Sequence, residues 1–350
     1  MAEHTFVVTG VGMYTPVGAR APATCAALRA GISRVRPWPH FSFGDEPVNV
    51  GAVAADGRDA SWCEKAVPIT RGPIYEALWQ AGLYSYDWHG RRVGLYFSTP
   101  PRRRTGVLPE FYSDFGAYLG DLWDELAGND QIYRVEHAHV GGAVALAAAC
   151  EALATGELDA AVVAGFESAL DSPYLDELLA QGRLHTADRS GGIIPGEGAA
   201  AFVLETAAGA RGRQAAALAQ VVAVALEQEA AGWSPSLPSQ AGALSRALQT
   251  ALAVPPGASE YRRLMVDHTG ERWRVREWAL AEPRALGGLP LGWQLWHPVD
   301  CVGDLGAAFV PFAVAWAATE FTRRDAEPGG TIVGAMNDAG ERAVLTLMPR

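Results

Sequence analysis

The apolar positions of this chain fall into short continuous runs. Thr5–Gly10, Arg92–Ser98, Asp159–Gly165, Ala199–Leu204 and Arg263–Asp267 each hold one, bounded by glycine, charge or turn residues. Such runs predict strands, and the run at 159–165 predicts one covered on both faces. Helical segments lie between them: Ala23–Ala30 closed by Gly31, Ile69–Ala81 before Gly82, Glu110–Leu126, and the amphipathic Ala241–Leu252. Val140–Thr155 and Ala307–Arg323 are apolar almost all round, the pattern of helices without a solvent face. Ala216–Leu226 suits a strand or a helix, and Gly330–Gly334 with Ala343–Met348 reads as a terminal pair of strands. Strands alternating with helices predict an α/β fold of parallel sheets covered by helices. The alternation runs twice, with a break near residue 210.

At 350 residues the chain can bury a substantial core, as one large domain or two medium ones. No apolar run reaches the roughly 20 residues of a membrane-spanning helix. The net charge of −11 argues against nucleic acid and anionic membranes as partners. Met1-Ala2-Glu3-His4 lacks the positive start of a secretory signal. Cys25, Cys63, Cys150 and Cys301 are widely spaced and read as reduced residues of a cytoplasmic protein. Arg102-Arg103-Arg104 is a basic exception, readable as a solvated loop or as a docking patch for an acidic carrier protein or other acidic partner.

Three blocks carry a more specific signal. Val7–Gly18 reads Val-Val-Thr-Gly-Val-Gly-Met-Tyr-Thr-Pro-Val-Gly. Residues 137–165 read His-Ala-His-Val-Gly-Gly, an Ala-rich helix, Gly-Glu-Leu-Asp and Ala-Ala-Val-Val-Ala-Gly. Residues 196–205 read Gly-Glu-Gly-Ala-Ala-Ala-Phe-Val-Leu-Glu. Gly10-Val-Gly12 alone also suits a dinucleotide loop, but it lacks the third glycine and a placed acid. In order and spacing, the three blocks resemble the β-ketoacyl synthases of the thiolase superfamily. That resemblance implies a five-layered α-β-α-β-α fold of two pseudo-repeated halves, here 1–210 and 211–350, which dimerises. It implies no cofactor and no metal. Counting back from Gly156 and Gly165 puts His139 where the family carries its catalytic cysteine.

The second half departs from the family pattern. His268 matches the first catalytic histidine, but its Thr-Gly-Thr continuation is replaced by Thr269-Gly-Glu-Arg-Trp. Asp304, in Asp300-Cys-Val-Gly-Asp-Leu-Gly-Ala-Ala308, stands near the second histidine's place, with no lysine before it. The glycine-rich gating loop is replaced by Gly334-Ala-Met-Asn-Asp-Ala-Gly340. A synthase cysteine takes up an acyl group as a thiolate lowered by its helix N-terminus. A helix N-terminus favours neutral imidazole at His139, an acyl-imidazole would be labile, and an aspartate at 304 would repel a developing enolate. Cys150 reads as an inert core residue and Cys301 as a thiol close to the site in sequence.

Two further chemistries are open to the same region. Glu136, His137, His139, His268 and Asp304 could converge on zinc, although His-x-His at a helix start more commonly forms a hydrogen-bonded pair. Gly165-Phe-Glu-Ser168 is only a weak nucleophile elbow. Gly270–Trp278 reads as a helix start with surface Arg–Glu pairs or as a partner surface. It is similar to a block in thiolase-like proteins encoded beside bacterial secretion-system genes. The expected function is therefore a non-condensing subunit that binds a partner or an acyl group. That partner would be a second copy, a synthase-like protein, an acyl carrier protein or a secretion-associated protein. The alternative is an acyl-thioester-processing enzyme of fatty-acid or polyketide-type metabolism using His139 and His268, with Asp304 at the third family-equivalent position.

Overall fold

The computed structural model describes residues 4–53, 62–83, 90–107, 109–127, 131–234 and 236–350. The first half runs β1 (Phe6–Tyr14), α1 (Ala21–Arg29), β2 (Val35–Phe43), β3 (Glu46–Gly51), α2 (Trp62–Gln80), β4 (Val93–Ser98), α3 (Pro109–Ala127), β5 (Ile132–Val135), α4 (Gly141–Ala154), β6 (Ala160–Ser168), α5 (Ser172–Ala180) and β7 (Glu197–Thr206). The second runs α6 (Ala207–Gly212), β8 (Ala219–Gln228), α7 (Gly242–Ala253), β9 (Tyr261–Val266), α8 (Arg272–Ala285), β10 (Gln294–Trp296), α9 (Val299–Val302), α10 (Phe309–Phe321), β11 (Gly330–Met336) and β12 (Glu341–Pro349). The ambiguous segment at 216–226 is the strand β8. The pair β2–β3 is a separate hairpin that the apolar pattern did not announce.

The duplication lies in the topology. One half orders its strands β5-β4-β6-β7-β1 and the other β10-β9-β11-β12-β8. In each, the strand second in chain order pairs in parallel with the third and fourth, and the fifth lies antiparallel between the fourth and the first. The halves join where β1 pairs antiparallel with β8.

Alternation within the buried strands produces the layers. In β7, Ala200, Phe202 and Leu204 face a central core with α4 and α10, while Ala199, Ala201 and Val203 face a second core with α2 and α3. In β12, Leu345 and Leu347 face the central core, and Val344 faces a third with α7 and α8. Helices, sheet, helices, sheet and helices follow in turn, the α/β arrangement expected. The helices α4 and α10, apolar all round, are the middle layer. Gly142 lets them touch, since a Cβ there would lie 2.4 Å from Pro311 Cδ. Gly10 and Gly12 sit inside β1 and admit α2, with would-be Cβ atoms 2.0 Å from the carbonyls of Ala77 and Pro73. Close packing, not a phosphate loop, accounts for that motif. Among the described residues no helix is long and apolar enough to cross a membrane.

Candidate functional site

Both middle-layer helices are entered through a 3₁₀ turn: Ala138–Val140 before α4 and Gly306–Ala308 before α10. Each turn begins on a left-handed residue, Ala138 at φ 47° and Gly306 at φ 41°. Glycine tolerates that conformation, whereas alanine is strained by roughly 1–2 kcal/mol. Strain of this kind persists where surrounding structure over-determines it. The pseudo-symmetric turns meet at the centre of the molecule, and their elements bring His139 and Asp304 together.

His139 Nε2 lies 2.8 Å from Asp304 Oδ1, both side chains 12% exposed. The same oxygen accepts the Gly306 N–H at 3.0 Å. Burial alone would raise the Asp304 carboxyl, but the charge and hydrogen bond of His139, the Arg274 charge and the Gly306 N–H hold it at about 2. Burial alone would lower His139, yet Asp304 outweighs it and raises the group above its ordinary value, against a smaller opposing effect of Arg274. Asp304 thus favours the protonated form of His139, against the helix terminus, which favours the neutral one: a full charge at hydrogen-bond distance acts more strongly than the half-charge of a helix end.

The pair has a definite pH signature. A raised histidine contributes stability fully present below its unfolded value near 6.5, lost as pH rises through the folded value. Asp304 contributes above about 3.8, and that contribution disappears as pH falls through about 2. Ring-carbon NMR titration should therefore find His139 half-protonated above pH 6.5. In Asp304→Asn, burial should take over and drop the midpoint below the ordinary value. A midpoint unmoved by that substitution would refute the ion pair.

A cavity of about 360 Å³ opens beside the pair. Its charged lining is largely neutralised in place. Arg104, from the Arg102–Arg104 run, pairs with Glu167 at the end of β6 and stacks on Tyr174. Glu167 Oε2 also accepts the Ala307 N–H at 3.1 Å. Arg183 chelates Glu271 at 2.6 and 3.1 Å and Asp338 at 2.6 and 3.1 Å. Arg274 donates to Asp267 Oδ2 at 2.6 Å and to the Met336 carbonyl at 2.7 Å. The basic run thus splits three ways: Arg102 holds Glu136 at 2.8 Å, Arg103 is exposed at the cavity, and Arg104 is internal.

Residues 337–340, expected to stand in place of a gating loop, form the tight turn between β11 and β12. Asn337 Nδ2 donates to the His137 carbonyl at 3.0 Å, and the Trp233 N–H donates to the Asp338 carbonyl at 2.9 Å. With the Arg183–Asp338 pair, the turn is fastened at three points beside His139.

The other expected residues divide. His268 does not line this cavity. Its ring meets Trp278 edge-on at 6.2 Å, its Nε2 is buried without a hydrogen-bond partner among the described residues, and burial pulls its pKa down. Glu136 is taken by Arg102 and His137 by Glu341, at 2.6 Å. Among the described residues no three His, Cys, Asp or Glu side chains are grouped to hold a metal. Burial pushes the Cys150 thiol up to about 12 and raises Cys301 as well. Ser168 donates to Glu197 at 2.8 Å, away from the cavity lining. The Arg–Glu pairs expected on the surface of α8 are internal: Arg274 and Glu277 are 2% and 1% exposed. Arg183 gave no sequence signal, and Arg104, Glu167 and Asp338 stood only within runs read for other roles, because the role of each is recognisable only through a partner distant in the chain.

Comparison with known proteins agrees with this fold. A family model described as the β-ketoacyl synthase N-terminal domain matches residues 133–210. The ketoacyl synthase β subunit of the tetracenomycin polyketide synthase of Streptomyces glaucescens is 26% identical over 254 residues. That match covers 61% of this chain and 61% of the relative, less than two thirds of its length. Among solved structures, a chain of the complex of a type II polyketide synthase acyl-carrier protein with its ketosynthase bound to the hexaketide aligns over 99% of both chains, with TM-score 0.82 and 17% identity. The ishigamide ketosynthase/chain length factor aligns over all of both chains, with TM-score 0.80 and 19% identity. A β-ketoacyl synthase from Burkholderia phymatum aligns over 99% of this chain and 100% of its own, with TM-score 0.78 and 20% identity. The chain has the fold of these ketosynthases, and within it residues 133–210 match the β-ketoacyl synthase N-terminal domain.

Proposed function

We propose that this chain is a non-condensing subunit that works beside a condensing synthase in polyketide-type assembly, with His139 in the place of the nucleophile. The observation that carries this reading is the His139–Asp304 contact. With Nε2 engaged by Asp304 at 2.8 Å, that ring nitrogen is not free to attack a thioester, and the adjacent carboxylate opposes the negative charge of an enolate or tetrahedral oxyanion. The fastened turn at 337–340 supports the same reading, since this segment is tied down where the family carries its gating loop. The resemblance to a ketoacyl synthase β subunit supplies the partner class: a synthase-like protein, itself served by an acyl carrier protein. The two topological halves, divided near residue 210, serve as scaffold for that pairing.

The enzyme alternative requires His139 and His268 to act together, and His268 lies outside the cavity lining. Incubation with acetyl- and malonyl-coenzyme A, followed by intact-mass spectrometry and thiol release, should give neither an adduct nor turnover above that of a His139→Ala variant. Thioester loss that His139→Ala abolishes would overturn the non-condensing reading. Addition of the chain to a condensing synthase of the same pathway should change that synthase's rate or product length.

A further inference from the structure

A second concave site lies on the outer face of the second half. A groove of about 140 Å³ is walled by Trp233, Leu237, Pro238 and Trp273, with Arg272 and Arg276 on its rim. It shares only Trp233 with the His139 cavity. Leu237 is 62% exposed, and Val275, beside the two arginines in sequence, is 48% exposed.

The charge here is uncompensated. Arg272 and Arg276 stand one turn apart on α8, both exposed, and neither has a hydrogen bond or ion pair among the described residues. Like charges at that spacing repel each other across one helix face. The acids of the same helix region face inward, Glu271 to Arg183 and Glu277 to Arg342. The chain carries 39 acidic against 28 basic residues, yet among the described residues no acid is paired with either arginine. Behind the Trp273 wall, the guanidinium carbons of Arg274 and Arg342, each already paired with an acid, lie 4.8 and 5.7 Å from its ring. Trp273 Nε1 is a buried donor with no partner among the described residues.

We infer that this groove docks an acidic segment of another protein, one bulky apolar side chain entering between Leu237 and Trp273 while carboxylates meet Arg272 and Arg276. Unpaired guanidiniums and an indole donor answer carboxylates and a main-chain carbonyl, and the apolar walls answer an anchoring side chain. The inference concerns a surface outside the His139 cavity, so it stands or falls separately from the subunit reading.

Fluorescence anisotropy with a labelled Glu-Asp-Phe-Glu-Asp peptide tests it on the full chain. The wild type should bind in a salt-sensitive manner, and Arg272→Glu/Arg276→Glu should weaken binding at least tenfold. Leu237→Asp should weaken it comparably, and the Ala-centred peptide should bind less well than the Phe-centred one. Both sets of substitutions are at exposed positions, so circular dichroism should show the fold intact. Absence of wild-type binding up to millimolar peptide, equal binding by the variants, or preference for a single-stranded oligonucleotide over the peptide would overturn the inference.

Discussion

Replacement of Arg342 by leucine should destabilise the protein by about 3–5 kcal/mol, the range for removing one partner of a buried ion pair. Arg342 and Glu277 are 0% and 1% exposed, and the guanidinium reaches the carboxylate at 2.5 and 2.9 Å. It also donates to the carbonyls of Asn337 and Glu341, at 3.0 and 2.8 Å, at either end of the turn beside the cavity. Loss of Arg342 therefore leaves a carboxylate without solvent or counter-charge and two carbonyls short of a donor. A neutral pair should restore much of the loss, because the desolvation penalty vanishes with the second charge. Denaturant unfolding of Arg342→Leu, Glu277→Leu and the double variant measures this. If the double variant is no more stable than Arg342→Leu, the stranded charge is not the cause.

This prediction could not have been drawn from the sequence. Gly270–Trp278 offers Arg, Trp and Glu in alternation, and helical spacing alone suggests exposed pairs. What buries Arg274 and Glu277 is the packing of α8 over β11, where Trp278 lies against Gly334, and the arrival of Arg342 from β12. The layers, by contrast, were legible. Continuous apolar runs announced β4, β6 and β7, and all-round apolar sequences announced α4 and α10. The hairpin β2–β3 escaped because Pro37 and Pro39 interrupt its alternation. At the site, motif spacing located His139 and Asp304 but not their 2.8 Å contact, which depends on two 3₁₀ turns meeting across the pseudo-symmetry. It also placed His268 on a matching strand end without revealing that the ring packs on Trp278. Electrostatic effects follow contacts, and so the upward pull of Asp304 on His139 was invisible until the contact was known.

That contact sets the outcome of restoring a thiol. His139→Cys alone should give a poorly reactive cysteine. A thiol at the start of α4 gains from the helix N-terminus, but the Asp304 carboxylate, held ionised to about pH 2 in the wild type, opposes thiolate formation with a full charge. Residual proximity to Arg274 only partly offsets it, since that guanidinium is already committed to Asp267. Adding Asp304→His replaces the opposing carboxylate by a proton acceptor that becomes a cation, the pairing that lowers thiol pKa in cysteine enzymes. At pH 7 the double variant should alkylate with iodoacetamide at position 139 at least about tenfold faster than the single variant, corresponding to one pKa unit or more. Peptide-resolved mass spectrometry separates position 139 from the four native cysteines. Equal rates in the two variants would show that Asp304 does not control the charge state at 139. A fast single variant would show that the helix terminus dominates after all, and with it would go the support that Asp304 gives to the proposed non-condensing role.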